Sequence, residues 1–157
     1  MMNHALIAFV SSCFLLLTAS AQSPDLANLQ SKLTVDCKSI RGHAGRIVAE
    51  TGEQEFNVTV AVAHLKQVAN FHSSMEKDLV AIAKVLSAAQ GQLVAHEMKQ
   101  LDEICKSAGS RIGKLEDAFN LAAPDRETIR RESRLLRETM AQGHEIHERM
   151  KKKLGIL

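Results

Sequence analysis

Residues 53–122 read EQEFNVTVAVAHLKQVANFHSSMEKDLVAIAKVLSAAQGQLVAHEMKQLDEICKSAGSRIGKLEDAFNLA. Apolar or small side chains, with His72 among them, recur there every three or four positions. They run Val58, Val62, Leu65, Ala69, His72, Met75, Leu79, Ile82, Leu86, then Val94, Met98, Leu101, Cys105, Ala108, Ile112, Leu115 and Phe119. This is the spacing of an amphipathic helix, or of two in succession, and no proline interrupts it. The seam loses register over Ser87-Ala88-Ala89-Gln90-Gly91-Gln92, where Gly91 is the strong breaker. A turn there makes an up-down four-helix bundle. Continuity makes a rod of about seventy residues, ~105 Å long, a coiled-coil-like helix flanked by one helix at each end.

Working outward, Ser23-Pro24-Asp25 carries the cap, first-position proline and acidic first turn that open a helix. Its apolar face reads Leu26, Leu29, Leu33, Cys37, Ile40, Ala44 and Ile47, and Thr51-Gly52 closes it. Gly52 suits a left-handed cap, and Thr51 with Gln54 has capping-box spacing, so the second helix is expected from about Glu53. On the other side, Ala123-Pro124-Asp125 separates the third helix from a fourth. The seam of the fourth is Ile129, Ser133, Leu136, Met140, Gly143, His147, Met150 and Leu154, with Lys151, Lys152 and Lys153 at the dipole's negative end and Gly155 as the stop. The expected class is all-α, with residues 22–157 as a single helical-bundle domain.

At the start of the chain, Ala5 to Leu17 is nearly all apolar and is followed by Thr18-Ala19-Ser20-Ala21. That order predicts a secretory signal peptide over residues 1–21 and an exported protein, periplasmic or extracellular. Cleavage leaves 157 − 21 = 136 residues, enough for one modest core, with no transmembrane segment remaining. The mature part has three Phe and no Trp or Tyr. Such a core suits packed helices and is poor material for a β-sandwich. The formal charge of +2 gives no pull toward nucleic acid.

Export removes Cys13 and leaves Cys37 and Cys105, which an oxidising compartment would join within one chain or between two. A turn near Gly91 puts them at similar heights, 13 residues beyond Pro24 and 14 beyond Gly91. In the rod they stand ~55 Å apart, and a bond within one chain is then impossible. In a square bundle the first and third helices are diagonal, so an internal bond requires a flattened bundle. A bond between chains would make a homodimer.

Histidines are the first candidates for chemistry. His72 and His147 fall on core seams, Met75 lies one turn from His72, and His144 and His147 are three apart. A bundle places His96, Glu97, His144 and His147 toward one end, and His43 and His72 toward the other. The candidate metal ligands are His72, His96, His144 and His147, for Zn, Cu or a non-covalent haem. No Glu-x-x-His of the di-iron kind is present. There is no nucleophile elbow, phosphate-cradling glycine loop or His-Glu-x-x-His either, so no catalytic residue is assigned and an enzyme is not expected.

Arg126, Arg130, Arg134 and Arg137 share one side of the last helix. Residues 125–157 carry nine Lys or Arg and six Asp or Glu, 9 − 6 = +3. Glu127–Arg131 and Arg134–Glu138 have the four-residue spacing of solvated ion pairs, which reads as a solvent face. The leading expectation is therefore an exported, non-enzymatic bundle that binds a protein or envelope surface through a helix face, with Val60, Val80 and Leu135 as exposed apolar candidates. The alternative is a periplasmic metal- or haem-binding four-helix bundle.

Overall fold

The computed structural model describes residues 24–156. The leader read over residues 1–21 and the capping Ser23 lie outside the described residues. Four helices follow in order: α1 (Pro24–Glu50), α2 (Val58–Val85), α3 (Ala88–Phe119) and α4 (Arg126–Leu154). Short connections make each helix antiparallel to the one before it. The packed neighbours are α1 with α2, α2 with α3, α3 with α4, and α4 with α1. This is an up-down four-helix ring, so the single long rod is not the structure.

The chain turns at Leu86–Ser87, four residues before the expected Gly91. Both residues are extended, with ψ of 132° and 161°. The Leu86 N–H donates back to the Ile82 carbonyl at 3.2 Å. Ser87 Oγ accepts from the Gln90 N–H at 3.3 Å, and Gln90 Oε1 accepts from the Ser87 N–H at 3.0 Å. This reciprocal cap satisfies two N–H groups that a helix start otherwise leaves bare. Gly91 sits inside the first turn of α3, its N–H already bonded to the Ser87 carbonyl at 2.8 Å.

The first connection differs from expectation in two ways. Asn57, not the Thr51–Gln54 pair, caps α2 by accepting from the Val60 N–H at 3.1 Å, so α2 starts at Val58 rather than Glu53. Gly52 is not left-handed: among the described residues Gly155 alone has positive φ, at 70°. The end of α1 is closed instead by side chains. The Thr51 hydroxyl donates to the Val48 carbonyl at 2.8 Å. Arg126 Nε donates to the Thr51 carbonyl at 2.8 Å, and Arg130 bonds both the carbonyl and the hydroxyl of fully buried Thr51. Arginines at the start of α4 thus hold the orphan carbonyl at the end of α1.

All eight seam positions expected for α4 are buried, Ser133, Gly143 and His147 included. On α3 seven of eight are buried, and Met98 is partly so. On α2 the first half is rotated. Ala61, Leu65 and Val68 face the core, while Val62 and Ala69 are only partly covered. At Gly143, α4 comes so close to α3 that a Cβ there would lie 2.9 Å from Ile104 Cγ2. Among the described residues, no helix is long and apolar enough to cross a membrane.

A Cys37–Cys105 disulfide within the chain, one of the two expected forms, is absent: both thiols are buried and free. The cause is the ring order. Helices α1 and α3 are diagonal, with no Cα pair within 8 Å, whereas a disulfide needs about 4.4–6.8 Å. Each sulfur has another neighbour. Cys37 Sγ faces Met75 Sδ at 3.8 Å, and Cys105 Sγ faces His72 Nε2 at 3.6 Å. Burial pushes both thiols up to about 12.

Candidate functional site

The four candidate histidines have four different surroundings. His147 is fully buried at the α4–α1 seam. Its Nε2 is bonded to Gln30 Oε1, and Nδ1 lies 3.4 Å from the Thr34 hydroxyl. Burial, with Lys151 nearby, lowers it to about 4, so it is neutral at ordinary pH. Both ring nitrogens are occupied within the protein. His144 is half-buried, with Nδ1 4.0 Å from Glu148 Oε1. His96 is exposed, and its neighbour Glu97 is buried and paired with Lys153 at 2.8 Å. That bond holds the Glu97 carboxyl below its ordinary range. Among the described residues, no set of three donors within 4.8 Å includes His96, His144 or His147.

His72 belongs to a different group. It and Glu76 stand one turn apart on α2, and Cys105 faces them from α3. Donor atoms of the three side chains all lie within 4.8 Å of one another. His72 Nε2 is 2.9 Å from the Cys105 carbonyl, to which its N–H donates. The imidazole lies over Gly109, where a Cβ would meet His72 Cε1 at 3.2 Å. A hollow of about 380 Å³ between α2 and α3, lined in part by Glu76, Met98 and Cys105, opens to solvent at the Glu76 and Cys105 donors. Met75 points the other way, toward Cys37, so it does not share an axial haem position with His72. At the far end of α1 and α2, His43 Nδ1 and His64 Nδ1 meet at 3.0 Å, with the His43 ring stacked on Phe71.

The arginine stripe is not the paired solvent face that its spacing suggests. Neither Glu127–Arg131 nor Arg134–Glu138 is within ion-pair distance among the described residues. Arg131 bonds Glu132 at 3.2 Å instead, alongside Arg111 at 3.1 Å. Arg126 and Arg130 are committed to Thr51. Arg134 and Arg137 are exposed and meet two cations from α1, Lys38 and Arg41. A groove of about 300 Å³ is lined by Arg41, Arg134, Arg137, Glu138 and Ala141. It adjoins one lined by Lys38, Arg41, Gly42, Gly45 and Arg137. None of these four cations has a hydrogen bond or ion pair among the described residues. Arg137 lies across Gly45, whose missing side chain keeps the groove floor low. Toward Arg126 the groove continues along α4 past Leu135. Leu135 is half-buried in it, while Val60 and Val80 are exposed on α2.

Two signals were missing from the sequence reading. His72-x-x-x-Glu76 is visible as a one-turn donor pair, but nothing local shows that Cys105 faces it from α3. The basic stripe was visible on α4, but Lys38 and Arg41 join it only because α1 packs beside α4.

The fold and its grooves define an all-α up-down four-helix bundle. Comparison with family models, with curated proteins and with solved structures finds no match for this chain.

Proposed function

We propose that this protein is an exported, non-enzymatic bundle that holds an extended anionic polymer of the cell envelope along its α1/α4 face. The observation that carries the reading is the convergence of Lys38, Arg41, Arg134 and Arg137 from two helices on adjoining hollows, none of the four ion-paired among the described residues, even with Glu138 in the same lining. Unpaired guanidinium groups recognise phosphate and carboxylate through two parallel N–H bonds. The hollows run along α4 from Arg126 to Ala141, ~22 Å at the helical rise. A linear chain with repeated charges fits a trough of that length.

The test is binding of long-chain inorganic polyphosphate to the full chain across a salt series. Substitution of Arg41, Arg134 and Arg137 by Ala is expected to weaken binding at least about tenfold and to flatten its salt dependence. The same treatment of exposed Lys66 and Lys77 on α2 is expected to change little. Equal losses in the two sets would refute the groove. Tighter binding to anionic vesicles than to polyphosphate would replace the polymer with a membrane surface.

A further inference from the structure

We propose that His72, Glu76 and Cys105 form a mononuclear zinc site that bridges α2 and α3, a binding site separate from the basic groove. Three features converge on it. The donor set is one imidazole, one carboxylate and one thiol, the mixed nitrogen, oxygen and sulfur set that suits Zn(II) among abundant ions. The His72 Nε2 to Cys105 Sγ distance is 3.6 Å. Ordinary Zn–N and Zn–S bonds at a tetrahedral angle separate nitrogen and sulfur by ~3.6 Å, so these two ligands already stand at the spacing the ion requires. Glu76 is exposed, and one of its carboxylate oxygens already lies within 4.8 Å of the other two donors.

The third feature is the shape of α3 beneath the ring. Gly109 stands one turn beyond Cys105, and any side chain there would press on His72 Cε1. The glycine gives the imidazole a seat beside the sulfur. The hollow between α2 and α3 reaches Glu76 and Cys105 from solvent, which provides an entry path and room for a water as fourth ligand. On binding, the Cys105 thiol proton leaves to solvent and the thiolate bonds the metal. The His72 Nε2–H bond to the Cys105 carbonyl breaks, and the ring proton moves to Nδ1 by exchange with water. One proton is released per ion bound.

The test is a titration of the reduced full chain with Co(II), whose spectrum reports tetrahedral geometry and thiolate ligation, followed by displacement with Zn(II). One Co(II) per chain with a sulfur charge-transfer band is expected. The band should vanish in Cys105→Ser and persist in Cys37→Ser. Glu76→Gln, an exposed change that keeps the fold, should weaken affinity at least about tenfold. Gly109→Ala should weaken it as well by displacing the ring. Absence of a tetrahedral spectrum in the unaltered chain overturns the proposal. So does retention of the band in Cys105→Ser, or unchanged affinity in Glu76→Gln. Polyphosphate binding is read separately, so failure here leaves the groove reading untouched.

Discussion

His147 of α4 is hydrogen-bonded through Nε2 to the side-chain oxygen of Gln30 on α1, and both residues are completely buried. The bond closes the ring of helices between the last element and the first. Burial, not the bond, keeps the ring neutral, because Nε2–H donates to Gln30 in either protonation state while a charge there would lose its hydration. Lys151 and His144 oppose protonation and exposed Glu148 favours it, but burial dominates.

Stability should therefore fall on acidification. The folded-state value of about 4 lies below the ordinary 6.5. The unfolded chain binds the proton first, so this contribution is complete above about pH 6.5 and is lost as pH falls toward 4. At pH 4.5 the loss is about 2–3 kcal/mol relative to pH 7.5. Urea unfolding of the unaltered chain and of His147→Gln checks it: the gap between them should narrow by that amount. Asp36, raised by burial, has the opposite sign and is common to both proteins.

Gly143→Ala should destabilise the bundle by about 1 kcal/mol. Alanine improves helix propensity by roughly 0.5–1 kcal/mol, but its Cβ would stand 2.9 Å from the β-branched Ile104 Cγ2, an overpacking that costs about 1–3 kcal/mol. Combining it with Ile104→Ala should remove the clash. A double-mutant cycle by thermal unfolding should then show favourable coupling; additive losses would mean that the helices separate freely at this point.

Arg130→Met should cost about 1.5–3 kcal/mol, the range for a hydrogen bond to a charged donor. The methionine keeps the stem but leaves the buried Thr51 carbonyl and hydroxyl with fewer donors. Hydrogen exchange should show faster opening in the last turn of α1 and in residues 51–57, with α2 and α3 little changed.

Cys37 and Cys105 should remain thiols in the folded protein even under mild oxidation. Both are buried, and the diagonal helices hold their Cα atoms more than 8 Å apart. Peptide mapping without reductant should recover two separately alkylated cysteines. A Cys37–Cys105 crosslinked peptide from folded protein would contradict the ring order.

The helices and their inward faces were legible because burial follows a period that one strand of text can show. All eight positions that the period picks out on α4 are buried, down to the histidine and the glycine, though Glu132, Thr139 and Ile146 beside them are buried too. Pro24, Pro124 and Gly155 marked boundaries because their backbone limits are local. Local competition was harder to read. Ser87 with Gln90 outcompeted Gly91 for the turn, and Asn57 outcompeted Thr51 for the cap, since several adequate caps lay within a few residues of one another.

What the tertiary structure alone decided is which faces meet. The cysteines matched in height along the bundle, but height says nothing about whether two helices are adjacent or diagonal, and the ring made them diagonal. Cys105 became a neighbour of His72 because α2 packs on α3, and Lys38 and Arg41 joined the α4 arginines because α1 packs on α4. Helical periodicity fixes each residue's angle around its own axis. The partner across the interface depends on the order of helices around the core, which is set by the summed packing of four faces rather than by any one stretch of the chain.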